Sequence, residues 1–394
     1  MTEPKRPIRA LRATQTEAEK DSLHRALLEH GQAALNAGDF MAARAVAAEV
    51  FAFAPGSIGA LWLHVSAGPV NKDDPVFGRL ESLAKTPGLA PEMAAQIAFM
   101  RGKALDDQRD YPAAFEAFCE ANSLKPSEYD PIATRALADA LIAADAQLPD
   151  AIRAPPFGPR LVFVLGMPRS GTSLMAQMLG AHRGAENLGE CTALAPALAR
   201  SDLPGNPHLA AITAATRQSL SAARATYLKA IGATGFPGQV LIDKMPENWW
   251  FAPLLPRIFP EAVIVHMRRP RLATAWSCFR NDFAQGHGYA TRFPNILAQY
   301  ETHLALCSAG QARARDGQWH EVGLDALAAN PHSSLEPVLG ALGLEWDEAC
   351  LKPEVGGAMP TLSKWQVRQG IQPKIARGWQ AYLPLISQKW GLTS

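Results

Sequence analysis

The sequence predicts an α/β fold: a P-loop-like three-layer domain with a central parallel sheet, preceded by an all-α helical domain. Three apolar runs, at residues 161–165, 240–242 and 262–267, alternate with longer stretches of helical spacing. Such runs are typical of strands buried on both faces of a parallel sheet. Residues 18–131 are instead rich in Ala, Leu and Glu at helical spacing. We place the helical domain at 18–143 and the α/β domain at 159–394, with a proline-rich linker between them.

The helical half contains an internal repeat with an offset of 71 residues. Five positions recur, namely Gly31, Gly38, Phe40, Ala43 and Pro55, as Gly102, Arg109, Tyr111, Ala114 and Pro126. The offset equals two units of about 34 residues plus a small insertion, and this pattern resembles the tetratricopeptide family of helix pairs. The middle unit is degenerate. Plain helical packing and peptide binding both remain open as the role of these helices.

Composition excludes several classes of function. The 394 residues carry 38 basic and 37 acidic side chains, a balance that argues against nucleic acid as the main partner. The five cysteines are odd in number and lack a Cys-x-x-Cys pair, so we expect neither a disulfide framework nor a metal site. No apolar run approaches the ~20 residues of a membrane span. We therefore expect a cytoplasmic protein with no membrane span.

A glycine-rich loop follows the first apolar run. Residues 166–171 have the Gly-x-x-x-x-Gly spacing of a Walker loop, but Thr172 occupies the place of its lysine and Arg169 lies inside the loop. The amides at the start of the following helix form an anion nest, which the hydroxyls of Ser170, Thr172 and Ser173 supplement. The absence of the lysine favours a ligand with one phosphate and a second anionic group over a γ-phosphoryl donor.

The run Gly-x-Pro-Arg-Ser-Gly-Thr-Ser-Leu resembles the sulfotransferase family, and its tyrosylprotein branch in particular. The resemblance implies that the co-substrate is 3′-phosphoadenosine 5′-phosphosulfate and that no metal is needed. It also implies which residues bind the 5′-phosphosulfate, namely Arg169, Ser170, Gly171, Thr172 and Ser173.

Two further motifs extend this resemblance. Arg269 ends an apolar run and Ser277 lies eight residues later on the next helix, a pair that implies binding of the 3′-phosphate. Lys244 follows the run at 240–242, where the resemblance assigns it the bridging oxygen of the leaving group. Glu190 lies 21 residues after Arg169, where the tyrosylprotein branch has its general base. Glu186, one helical turn earlier, is the nearest other glutamate that could be mistaken for the general base.

The C-terminal segment 359–384 resembles the loop that closes over the nucleotide in bacterial relatives. Its implied nucleotide contacts are Ser363, Gln366, Val367 and Arg368. From about residue 25 to 385 the chain resembles the bacterial tetratricopeptide repeat-containing sulfotransferases. It departs from their pattern at Pro270, where an acidic residue is usual, and at Gly378, where a basic residue is usual.

These observations predict an enzyme that moves a sulfuryl group from 3′-phosphoadenosine 5′-phosphosulfate to a hydroxyl acceptor. A tyrosine side chain, a carbohydrate hydroxyl and a small phenol all remain open as acceptors, and an acceptor protein or peptide could be held by the helical repeats. Two alternatives belong to other classes. A nucleotide kinase would need Asp243 as a magnesium ligand, although Lys244 adjoins it. The other alternative is a scaffold whose helical repeats bind a partner while the α/β half is catalytically inactive, and such a protein would need neither Lys244 nor Glu190.

Overall fold

The computed structural model describes residues 16–150, 153–155, 158–199, 206–233, 240–283, 286–352 and 378–392. Seven helices form the N-terminal half: α1 Glu17–Ala37, α2 Phe40–Phe53, α3 Ile58–Ser66, α4 Pro75–Ala84, α5 Pro91–Asp107, α6 Tyr111–Ser123 and α7 Pro131–Ala146. Within these described ranges no helix has the length and apolar character needed to cross a membrane.

The second half alternates strands and helices. The strands are β1 Arg160–Leu165, β2 Ala185–Asn187, β3 Val240–Asp243, β4 Val263–Arg268 and β5 Trp319–Gly323. The helices are α8 Thr172–Gly180, α9 Leu194–Leu198, α10 Pro207–Thr213, α11 Arg217–Ala230, α12 Leu255–Ile258, α13 Arg271–Phe279, α14 Phe293–Arg313, α15 Leu324–Ala329, α16 Pro331–Ala341 and α17 Leu383–Trp390. Short 3₁₀ turns cover Pro246–Phe251, Gly288–Thr291, Glu348–Leu351 and Gly378–Tyr382.

The five strands form one parallel sheet in the order β2-β3-β1-β4-β5. Alternate residues of β1 enter different apolar clusters: Phe163 packs with the layer that contains α11 and α12, and Val164 with the layer that contains α8 and α16. The sheet is therefore buried on both faces between two helical layers. The predicted α/β fold with a central parallel sheet and a helical N-terminal region is confirmed.

Strands β2 and β5 were not among the three strands that the apolar runs predict. They read Ala-Glu-Asn and Trp-His-Glu-Val-Gly, and both lie at the edges of the sheet, partly exposed. An edge strand needs no continuous apolar run, because solvent can reach one of its sides.

The 71-residue repeat corresponds to two similar helix pairs, α1–α2 and α5–α6. The residues that join the helices of each pair, Gly38 and Arg109, both have a left-handed backbone, with φ of 76° and 63°. The next residues, Asp39 and Asp110, each cap the second helix of the pair. The repeated sequence positions thus form the same local turn twice.

Gly102 lets α5 and α6 approach each other closely. A Cβ atom at Gly102 would lie 2.6 Å from the ring of Phe118, which is itself fully buried. Replacing Gly102 by alanine should therefore destabilise the protein by about 1–3 kcal/mol through overpacking. Urea unfolding of the purified variant measures this loss.

Gly78 provides the matched control for that prediction. It lies inside α4, is exposed, and has no atom within 4 Å of the position that a Cβ would occupy. Gly78→Ala should be neutral or add up to about 1 kcal/mol through helix propensity. Equal effects of the two substitutions would contradict the close approach of α5 and α6.

Helices α5 and α6 also pack directly against the α/β half. Phe115 of α6 stacks on Trp276 of α13 at a centroid distance of 5.5 Å, and Asn122 Nδ2 donates to the carbonyl oxygen of Phe279 at 2.7 Å. A chain beginning near Ala144 would expose this shared apolar cluster to water. The helical half therefore covers part of the α/β domain, and any binding role falls to the surface that this packing leaves open.

Candidate functional site

The loop between β1 and α8 lies at the carboxyl end of the central strand. The backbone of Gly166, Arg169 and Gly171 has φ of 147°, 71° and 102°, and Arg169 is one of only two described non-glycine residues with positive φ. A Cβ at Gly166 would lie 2.6 Å from the carbonyl oxygen of Met267, so glycine is required there. A non-glycine residue held in this region is often part of a binding site.

The loop presents polar groups that no described residue satisfies. The side chain of Ser170 is 1% exposed, and its Oγ has no hydrogen-bond partner among the described residues. Gly171 caps α8 without a side-chain hydrogen bond, while Thr172 is buried and Ser173 is half-buried in the first turn. A buried hydroxyl without a partner among the described residues, beside a helix N-terminus, suits an anionic oxygen ligand.

Arg169 and Arg269 lie close together beside this loop, although the family resemblance assigns Arg169 to the 5′-phosphosulfate and Arg269 to the 3′-phosphate. Arg169 Nε donates to Ser277 Oγ at 3.3 Å, and Arg269 Nη1 donates to the carbonyl oxygen of Arg169 at 3.1 Å. Burial, followed by the nearby charge of Arg280, lowers the pKa of both Arg169 and Arg269 to about 10. Such concentrated buried positive charge favours binding of an anion.

Sequence reasoning missed Arg280, the third arginine of this cluster. It directly follows α13, one helical turn after Ser277. This three-residue spacing places it on the same side of the helix as Ser277, and it was the signal in the sequence that could have identified Arg280. Arg280 Nη1 lies 3.0 Å from Asp106 Oδ2 of α5, and Tyr382 Oη donates to Asp106 Oδ1 at 2.5 Å. The helical half thus holds one wall of the arginine cluster in place.

Lys244 and Glu190 lie together at the next strand end. Lys244 follows β3, is 0% exposed, and its ammonium forms an ion pair with the carboxylate of Glu190. The backbone fixes this contact, because the Lys244 amide donates to the carbonyl oxygen of Gly189 at 2.9 Å. The side chain of Glu190 remains 41% exposed, so a second molecule can reach the carboxylate. Glu186 is an exposed residue of β2.

A second carboxylate near this pair was not predicted. Glu247 lies three residues after Lys244, close enough for the charges of Glu190 and Lys244 to act on it. Burial raises the pKa of Glu247, and the imidazole of His287, 3.8 Å away, counteracts that rise. The spacing of Glu247 from Lys244 was the only sequence signal for it.

The loop and the ion pair are also joined directly. The amide of Gly166 donates to the carbonyl oxygen of Pro246 at 3.2 Å, which ties the loop to the segment that follows Lys244. The segments after β1, β2, β3 and β4, together with α13, therefore bring together Arg169, Ser170, Gly171, Thr172, Ser173, Glu190, Lys244, Arg269 and Ser277. This edge of an open α/β sheet is where ligands usually bind.

Other titratable groups near the sheet have structural partners. His266 is buried, with its Nδ1 3.1 Å from Glu321 and its Nε2 2.8 Å from Nε2 of His303. His182 Nε2 lies 3.0 Å from the carbonyl oxygen of Glu345. His266 and His182 thus have partners within the fold. The residues Ser363, Gln366, Val367 and Arg368 lie outside the described residues.

Comparison with known proteins finds similarity to one enzyme family over the α/β half. Residues 159–348 match the model of the sulfotransferase family. An uncharacterized protein of Aquifex aeolicus is 28% identical over 321 residues, 77% of this chain and 42% of that protein. Protein-tyrosine sulfotransferase 2 of Gallus gallus is 26% identical over 200 residues, 49% of this chain and 54% of that protein. The chain thus spans about half the length of these relatives.

Among solved structures, the sulfotransferase domain from the curacin biosynthetic pathway aligns with a TM-score of 0.41 at 16% identity. The alignment covers 56% of this chain and 90% of that domain.

Proposed function

We propose that the protein transfers a sulfuryl group from 3′-phosphoadenosine 5′-phosphosulfate to a hydroxyl acceptor. One observation carries the proposal: a buried arginine-rich anion pocket adjoins a buried lysine that is paired with an accessible carboxylate. The match of residues 159–348 to the sulfotransferase family supports it.

The residues present fit such a donor. Ser170 Oγ and Arg269 Nε are buried atoms without a hydrogen-bond partner in the described part of the chain, and both lie where an oxyanion would satisfy them. Arg169, Gly171, Thr172 and Ser173 would hold the 5′-phosphosulfate, and Arg269 with Ser277 the 3′-phosphate. When bound, the donor supplies an activated sulfuryl group.

The chain's own residues then have defined tasks. Glu190 accepts the proton of the acceptor hydroxyl while the new O–S bond forms. Lys244 places its positive charge near the oxygen that keeps the electron pair of the broken S–O bond, which leaves as part of the 3′,5′-bisphosphate. Because Lys244 is fully buried, its charge acts with little screening by water.

The kinase alternative receives less support from the geometry. Asp243 is buried, and it accepts a hydrogen bond from Tyr227 Oη at 2.7 Å. Burial raises the pKa of Asp243 to about 7, and Lys244 adjoins it. A protonatable carboxyl beside an ammonium is a poor ligand for a magnesium ion.

The donor assignment predicts stabilisation by adenosine 3′,5′-bisphosphate in the absence of any metal. At a ligand concentration about a hundredfold above the dissociation constant, the free energy of unfolding should rise by about 2.7 kcal/mol. Thermal unfolding with and without the bisphosphate measures this gain. Stabilisation by ATP with magnesium but not by the bisphosphate would support the kinase instead.

Arg269→Ala separates the two phosphate sites in the same assay. The variant should lose far more affinity for the bisphosphate than for adenosine 5′-phosphate, since the 3′-phosphate contact is removed while the loop loses only the hydrogen bond from Arg269 to the carbonyl oxygen of Arg169. Equal losses for both ligands would mean that Arg269 does not bind the 3′-phosphate.

We also infer that the acceptor is a tyrosine in a polypeptide. The similarity to a protein named as a protein-tyrosine sulfotransferase supports this inference, as does the accessible carboxylate of Glu190. Mass spectrometry of tyrosine peptides incubated with enzyme and donor should detect the gain of one SO₃ unit. Sulfation of a small phenol or a sugar in place of every peptide would contradict a polypeptide acceptor.

We further propose a cytoplasmic location, which the five free cysteine thiols support.

A further inference from the structure

A cleft of about 970 Å³ separates the helical half from the α/β half. One wall comes from the start of α5 and the segment after α6, and the other from the segment after α13; lining side chains include Glu92, Gln96, Glu128, Tyr129, Asn281 and His287. The volume is near the upper end of small-molecule pockets, which span roughly 300–1,000 Å³, and is large enough for a short stretch of extended chain.

Two side chains link the cleft to the proposed reaction centre and donor pocket. His287 lines it and also lies 3.8 Å from Glu247, whose ionisation responds to the charges of both Glu190 and Lys244. Asn281 lines it as well, and its Nδ2 donates at 2.6 Å to the carbonyl oxygen of Ser277 in the donor pocket. A molecule in the cleft would therefore approach the Glu190 carboxylate from the side of the helical half.

The charge of the cleft is negative. Lys125 is engaged by Asp282 at 2.5 Å and by the carbonyl oxygen of Phe283 at 2.7 Å. Glu92 and Glu128 are exposed, and neither forms an ion pair with any residue that the structure describes. The lining of the cleft includes three carboxylates, Glu92, Glu128 and Asp282, against the single ammonium of Lys125. Such a surface attracts positively charged partners and repels acidic ones.

We propose that this cleft binds the acceptor as an extended, lysine- or arginine-rich peptide segment whose hydroxyl group reaches Glu190. The proposal rests on the proposed sulfuryl transfer and specifies its substrate. Peptide side chains with positive charge face Glu92 and Glu128, while the acceptor residue extends past His287 towards the ion pair. The helical half thus contributes one wall of the surface that selects the acceptor.

The test uses two fluorescent peptides of equal length that carry one tyrosine, flanked by lysines in one and by glutamates in the other. Fluorescence anisotropy measures their binding to the full chain, with and without adenosine 3′,5′-bisphosphate. The lysine peptide should bind, more weakly as salt rises, and the glutamate peptide should not. The double variant Glu92→Lys/Glu128→Lys should raise the Kd of the lysine peptide about tenfold, because attraction becomes repulsion.

The matched control is Glu29→Lys/Glu116→Lys, which makes the same charge change at exposed glutamates of α1 and α6 outside the cleft. It should bind the lysine peptide as the wild type does. The proposal is overturned if the glutamate peptide binds as tightly, if neither peptide binds, or if both double variants behave alike.

Thermal stabilisation by the bisphosphate, measured on the same samples, tests the donor site separately. If it persists while the peptide results fail, the cleft proposal is wrong and sulfuryl transfer stands. If it is absent in the wild type, the proposed function itself is wrong.

Discussion

Replacing Glu190 by glutamine is expected to lower turnover by roughly 10² to 10⁴ while leaving the affinity for adenosine 3′,5′-bisphosphate nearly unchanged. The amide keeps the shape of the side chain but cannot take the proton of the acceptor hydroxyl. The Glu190 carboxylate is the more exposed member of its pair with Lys244, so the acceptor can reach it. Single-turnover rates on an acceptor identified by the mass gain measure the effect.

Two controls accompany this variant. Glu186→Gln alters an exposed carboxylate of β2 only four residues away and should leave turnover unchanged. Since Glu190→Gln leaves the ammonium of Lys244 buried without its carboxylate partner, its melting temperature must be measured beside its rate. Wild-type turnover in a folded Glu190→Gln would remove Glu190 as the base. Glu247 would then be the next candidate, because His182 and His266 already have partners within the fold.

The central strands could be predicted because burial on both faces demands apolar residues at every position. Strands β1, β3 and β4 are the three middle strands of the sheet, and their observed bounds match the apolar runs within about one residue. The edge strands β2 and β5 carry polar residues because solvent reaches them, so their sequences resemble those of loops. Their pairing depends on the neighbouring strand, which no local pattern reveals.

The candidate site also has residues that the sequence could predict and residues that it could not. Each predicted motif follows one strand, and parallel strands place their carboxyl ends on one edge, so Arg169, Lys244 and Arg269 could be expected to converge. The contacts of Asp106 with Arg280 and with Tyr382 join three parts of the chain that are far apart in sequence. Such a contact follows from how the helical half packs on α13, and local spacing carries no information about that packing.

Replacing Lys244 by alanine should lower the rate of sulfuryl transfer by about 10² to 10³, comparable to the loss of one preorganised donor to a developing negative charge. The side chain is fully buried at the end of β3, so the substitution removes a positive charge from the interior of the site. Glu190, left without its partner, is partly exposed to water, so the fold should tolerate the change.

The decisive measurement compares the change in kcat with the change in the KM for the donor. If Lys244 stabilises the leaving oxygen, kcat should fall while the KM for the donor changes little, because the charge matters most as the S–O bond breaks. Lys229→Ala, at an exposed lysine in the last turn of α11, removes the same charge away from the site and should have wild-type kinetics. An unchanged kcat with a raised donor KM would show that Lys244 only binds the donor. The double variant Glu190→Gln/Lys244→Ala should lose less than the product of the two single losses, because both residues serve one transition state through a shared contact.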